Sequence, residues 1–148
     1  EVFNKVTLAA ELTLHRVLPE LLAGYAPRIV QDLSQGCYFS GRKPEDGRID
    51  WNWPVNRIHN LVRAVAPPYP GAFTTINRQS VRILRSRIMG IAADNSLAPL
   101  LTLDNNRLVA HCAGGGLLQI LALEIAGASV IPSQLIDWIG PGPWRLGD

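Results

Sequence analysis

Apolar residues in the first two dozen positions recur at helical intervals. In "EVFNKVTLAAELTLHRVLPELLAG", Phe3, Val6, Ala10, Val17, Leu18, Leu21 and Leu22 fall on that spacing, and Gly24 makes a good stop. No capping residue precedes Glu1, and the expectation is that the chain begins inside a larger protein. "APRIVQDL" is apolar at alternate positions and predicts a short strand, and Gly36 to Gly47 reads as loop. Pro54 suits the first turn of a helix over 54–66, in which Ile58, Leu61, Val62 and Val65 make one apolar face. "APPYPGAF" then breaks the pattern with three prolines and a glycine, which predicts a stiff extended linker and a domain boundary between residues 66 and 67.

From Phe73 the period changes to two. "FTTIN" and "SVRILRSRI" predict a hairpin around Asn77 and Arg78. "LAPLLTL" and "RLVAHCA" flank Asp104, Asn105 and Asn106, residues that tolerate a left-handed backbone. "LLQILALEIAG" follows Gly114, Gly115 and Gly116. About five short strands with tight turns predict one small antiparallel barrel over residues 70–131, closed or partly open. "PSQLIDWIG" predicts a terminal helix starting at Pro132 and Ser133. The fold class is therefore α+β, a helical part followed by a small antiparallel β-barrel.

The chain has 148 residues, 47% of them apolar and 18% charged, enough for a core in one ordinary domain or a small domain plus part of another. Its net charge of +2 is too mild to imply nucleic acid. No apolar run reaches the ~18 residues of a membrane span, and no signal peptide is present, so no membrane partner is expected. Cys37 and Cys112 stand in no metal-like spacing and read as free thiols of a reducing compartment, which points to the cytoplasm.

Individual motifs carry little chemistry alone. Gly114 to Gly116 lack the lysine and hydroxyl residue of a phosphate loop and read as a hairpin turn. His15, His59 and His111 share no metal spacing. His111 reads as a satisfied core histidine, and His59 as a solvated side chain on a polar helix face. Glu45, Asp46 and Asp50 read as a solvated turn, with Asp46 and Gly47 a strong turn signal. Arg78, Arg82, Arg85 and Arg87 cluster on one hairpin, where an ordinary polar face competes with a phosphate-binding stripe. No nucleophile–base pair, metal set or cofactor cradle stands on its own.

The stretch "GRKPEDGRIDW…IHNLVRAVAPPYPGAFT" resembles the folate-dependent formyltransferase family, which includes methionyl-tRNA formyltransferase and the amino-sugar N-formyltransferases. The resemblance covers the whole chain. It implies that "LPELLAG" ends the last long helix of a formyltransferase domain and that "RKPEDGRIDW" is its exit segment. The helix at 54–66 and "PPYPGAF" would bridge to a C-terminal barrel related to the OB fold. Residues 1–66 would then be the end of the catalytic domain and 67–148 the C-terminal domain, behind a missing N-terminal formyltransferase domain.

The family's chemistry uses an Asn and a His in an N-x-H arrangement, and an Asp. The His relays a proton from the attacking amine, the Asn donates to the developing oxyanion and the Asp positions the His. This sequence holds no N-x-H. The resemblance therefore implies the C-terminal part of a 10-formyltetrahydrofolate-dependent enzyme, inactive alone, with no folate expected to bind this chain by itself. Beyond Ala66 the chain has six arginines, no lysine and five acidic residues, thin for transfer RNA, and "PPYPGAF" is closer to the sugar-formylating branch. The acceptor implied is an amino-sugar nucleotide. A transfer-RNA-binding module or a stand-alone binding or structural remnant are the alternatives.

Once the rest of the enzyme is present, Arg42, Asn60, Arg63, Tyr69 and Phe73 are the candidates for the acceptor side of the site. Asn60 and Arg63, three apart, share a helix face. Arg63 suits a phosphate or carboxylate, and Tyr69 a sugar or base. Arg63 paired with Asp50, and aromatics that simply join two domains, is the competing reading.

Overall fold

The computed structural model describes residues 2–92 and 99–146. The chain forms two compact units, divided between Ser40 and Gly41.

The first unit is built on α1, Val2–Leu22. Gly24 adopts φ +79°. The Tyr25 N–H donates to Glu20 O at 3.1 Å and the Gly24 N–H to Leu21 O at 3.2 Å. This pair of bonds closes the last helical carbonyls around a left-handed glycine, as the sequence leads one to expect. No residue of α1 is buried. The strand expected in residues 26–33 does not form. Ile29 and Val30 are 90% and 95% exposed. Alternation supplies a face, but a strand also needs a neighbour for its N–H and C=O groups. Among the described residues this segment pairs with none. It leads into a single 3-10 turn at Leu33–Gln35, capped by the Asp32 carboxylate, which accepts the Ser34 N–H at 3.0 Å.

The second unit begins at Gly41 and includes α2, Val55–Ala64, which lies before the 66/67 junction. Among the described residues seven strands follow: β1 (Ala72–Ile76), β2 (Gln79–Ile91), β3 (Leu100–Asp104), β4 (Arg107–His111), β5 (Gly116–Ile125), β6 (Ala128–Val130) and β7 (Trp144–Arg145). A short helix α3, Leu135–Ile139, precedes β7 and ends at Gly140, φ +77°. All neighbouring strands run antiparallel, in the order β1-β2-β5-β4-β3-β7, and β6 adds to the far end of β5. The sheet curls into a nearly closed barrel, the α+β, OB-like architecture expected.

Local chemistry explains the turns. Asn77 and Arg78 have φ of 48° and 64°, and Asn105 and Asn106 of 45° and 61°. Two successive left-handed residues make the hairpin turn whose twist matches the strands. The long strands β2 and β5 bend where their register slips, between Ile83 and Arg85, Arg85 and Ser86, and Ile88 and Gly90. Barrel formation needs β7 too, which pairs Leu100 with Arg145 and Leu101 with Trp144. Two residues are too short to show a period in sequence.

Among the described residues the buried apolar side chains all lie between Ile49 and Leu146. Trp51, 1% exposed, enters the barrel interior, where its indole N–H donates to Thr74 Oγ1 at 2.9 Å. Ile58 and Val62 of α2 are fully buried in the same cluster. Leu135 and Ile139 of α3 join it, and Asn77 Nδ2 donates to Ile139 O at 2.7 Å. Among the described residues no helix is long and apolar enough to cross a membrane.

Candidate functional site

The barrel interior is not a ligand cavity. Around Trp51, Ile83, Leu108 and Leu123 it leaves about 10 Å³, no more than one water needs. Binding chemistry must therefore sit on the outside of this unit.

The charged stretch from Gly41 to Trp51 makes one edge of such a surface. Pro44–Gly47 form a single 3-10 turn. Asp46 Oδ2 accepts the Lys43 N–H at 2.8 Å, and the Arg48 N–H donates to Glu45 O at 3.0 Å. Gly47 presses on the barrel: a Cβ there would come 2.8 Å from Gly71 O and 3.5 Å from the Phe73 ring. The next residue extends beside β1, where the Ile49 N–H donates to Phe73 O at 2.9 Å. The Trp51 carbonyl accepts the Ala113 N–H at 3.1 Å. The loop is thus tied to the barrel at both strand ends.

Between this turn and α2 lies a depression of about 510 Å³. Its lining combines Arg42, Glu45, Asp46 and Arg48 from the loop with Trp53, Arg57 and Asn60 from the helix and its approach. The Arg57 guanidinium stacks over the Trp53 ring, 3.7 Å from its centroid, and Arg48 stands over Phe73 at 5.5 Å. Of the five residues expected at the acceptor side, the structure brings Arg42 and Asn60 together here. Phe73 contributes to a neighbouring depression of about 450 Å³ with Pro44, Gly71, Arg82 and Glu124, and touches the first only through Arg48. Arg63 and Tyr69 line neither among the described residues. Tyr69 is 58% exposed.

Arg63 belongs to the other flank of α2. It lies one turn from His59, and its charge is the second cause, after burial, that lowers the His59 pKa. His59 is not the solvated side chain expected. Its Nδ1 lies 2.9 Å from Ser86 Oγ on β2, and Ser86 is 7% exposed. The inward turn of Ser86 at the β2 irregularity brings a hydroxyl under the helix, a partner that no helical period could reveal.

Arg48, Trp53 and Arg57 are among the lining residues that the sequence did not single out, as are Glu45 and Asp46, which read there as a solvated turn. A signal for Arg57 existed: it is three residues before Asn60, as Arg63 is three after. Burial of Ile58 and Val62 decides which neighbour shares the open flank.

The remaining motifs behave as structural features. His111 Nε2 is 3.1 Å from Thr102 Oγ1. Arg82 pairs with Glu124 at 3.2 Å. Gly114 and Gly115, φ +77° and +76°, connect β4 to β5. Cys37 and Cys112 are free thiols. Among the described residues no three His, Cys, Asp or Glu side chains group so as to hold a metal ion.

Comparison with known proteins gives these features a family. A solved structure of HypX from Aquifex aeolicus, in complex with tetrahydrofolic acid, matches 85% of this chain with a TM-score of 0.59 at 14% sequence identity. At that identity the match speaks for the fold. The chain spans 22% of the length of that protein. The family profile described as formyl transferase, C-terminal domain, matches residues 42–136, from the first arginine of the depression through the barrel strands to α3. The chain belongs to the formyl transferase C-terminal domain family.

Proposed function

We propose that this chain forms the C-terminal part of a 10-formyltetrahydrofolate-dependent N-formyltransferase of the cytoplasm, that the acceptor is an amino-sugar nucleotide, and that the chain alone transfers no formyl group. Family membership supplies the reaction class, and the tetrahydrofolate in the HypX complex is consistent with a folate donor. The sequence holds no N-x-H, so a proton relay and an oxyanion donor of the family's kind would come from elsewhere. The apolar side chains of α1 are then the face that the rest of a catalytic domain covers.

The observation that carries the acceptor reading is the depression in which Arg42 and Asn60 meet. It is open and brings Arg42, Arg48 and Arg57 together with Glu45, Asp46 and Asn60, suited to a charged small molecule. Arg63, Tyr69 and Phe73 would reach the acceptor only in the assembled enzyme. The thin positive charge after Ala66 weighs against transfer RNA.

The test is formyl transfer from 10-formyltetrahydrofolate, measured for this chain and for the product that includes any coding sequence upstream of Glu1. Amino-sugar nucleotides and methionyl-tRNA are offered as acceptors. The expected result is no turnover by the chain and turnover by the longer product with the sugar nucleotide. Turnover by the chain alone, or by the longer product with methionyl-tRNA only, overturns the reading.

A further inference from the structure

We propose that the depression between the 43–48 turn and α2 binds the diphosphate of the acceptor nucleotide, with the guanidinium groups of Arg42, Arg48 and Arg57 as its ligands. The proposal rests on the acceptor reading above and names the part of that acceptor this chain would hold.

The first argument is how these arginines are positioned. Among the described residues none of the three pairs with a carboxylate; the ion pair of this surface is Arg82 with Glu124, one depression away. Arg57 is oriented by the Trp53 ring and Arg48 by the Phe73 ring. An arginine held by its π-face keeps its N–H edge available, whereas one held by a carboxylate has spent two donors on it. Rings therefore fix these two groups in place and leave their donors for an anion.

The second argument is selectivity of form. Glu45 and Asp46 share the lining, so the depression is not a diffuse cationic patch. Asp46 is occupied by the Lys43 N–H. Three guanidinium groups against two carboxylates favour a compact, multiply charged group that meets several arginines at once. A diphosphate presents its charged oxygens within one small volume and accepts bidentate guanidinium bonds. The carboxylates of a folate polyglutamate tail carry charge of the same sign but are spread along a chain. Asn60 at the same rim adds an amide for a neutral neighbour of the diphosphate.

The experiment titrates the full chain with UDP, with pyrophosphate and with tri-γ-glutamate, by calorimetry and by chemical shifts. Pyrophosphate and UDP are expected to bind, weakening as salt rises, and tri-γ-glutamate to bind far more weakly. Arg48→Gln and Arg57→Gln should each weaken diphosphate binding about tenfold, at unchanged Tm. Arg57→Lys should recover only part, because an ammonium neither stacks nor forks. Arg85→Gln, on the outer face of β2, should change nothing. No diphosphate binding, equal loss in Arg85→Gln, or preference for tri-γ-glutamate overturns the proposal. Diphosphate binding that depends on Arg48 and Arg57, in an enzyme that then formylates no sugar nucleotide, leaves this site standing and sinks the acceptor reading alone.

Discussion

His59 and Trp51 show how single polar atoms decide where elements sit. Trp51 carries an indole N–H into an otherwise apolar interior, and Thr74 Oγ1 satisfies it. Trp51→Phe would leave that buried hydroxyl without its partner and a gap where the indole was. The expected cost is about 1–3 kcal/mol in urea unfolding. His59 gives a pH signature instead. Burial, then Arg63, holds its pKa below the ordinary 6.5. The folded state therefore binds fewer protons than the unfolded state in the range below 6.5. Stability should fall as pH drops through that range, and level off once below the folded pKa. His59→Gln, which keeps a group for Ser86 but does not titrate, should show a flatter dependence as pH falls below the ordinary 6.5. Parallel profiles for the two proteins would show that His59 is not the source of that pH dependence.

At the scale of elements, glycines mark two places where geometry admits little else. Gly115 has φ +76° in the connection from β4 to β5. Gly115→Val should cost about 1–2 kcal/mol, read as a lower Tm. Gly116 is different: a Cβ there would lie 2.5 Å from Val55 Cβ, at the start of α2. Gly116→Ala should therefore push the helix off β5 and cost about 1–3 kcal/mol, with the His59 and Ser86 resonances shifting in Gly116→Ala and not in Gly115→Val.

These same positions show what was legible in the chain. The two hairpins could be read because Asn77–Arg78 and Asn105–Asn106 interrupt a period of two with residues suited to left-handed backbone. Both α1 and α2 could be read from their apolar intervals. The strand expected at 26–33 does not form: alternation reports a face and says nothing of a partner. For the depression, Arg42 and Asn60 were legible, since each lies in a stretch that carries the family resemblance. Arg48 lies in the same stretch as Arg42, but nothing there sets it apart from the other charges, and Arg57 had only its three-residue spacing from Asn60; with Trp53 it looks like any solvated helix start until α2 is set against the 43–48 turn. Arg63 was drawn to the same face by spacing alone, and the burial of Ile58 and Val62 sets it beside His59 instead.

For the whole molecule, the distribution of the core makes the clearest prediction. The buried apolar side chains run from Ile49 to Leu146, and none comes from α1. Removing residues 1–40 should therefore leave the barrel unit cooperatively folded, because it removes none of the buried apolar side chains that make that core. Cys112 offers an internal probe. It is 2% exposed, and burial pushes its thiol pKa up to about 11, so little thiolate is available to react. In the truncated chain it is the only cysteine, since Cys37 leaves with the first unit. The expected outcome is a single thermal transition at the Tm of the full chain's barrel, with Cys112 silent to a thiol reagent until that transition. In the full chain, exposed Cys37 should label at once and Cys112 only on unfolding. Loss of the transition, or rapid labelling of Cys112 after truncation, would show that the barrel depends on the preceding 40 residues for its core, against the separation of the two units at Ser40 and Gly41.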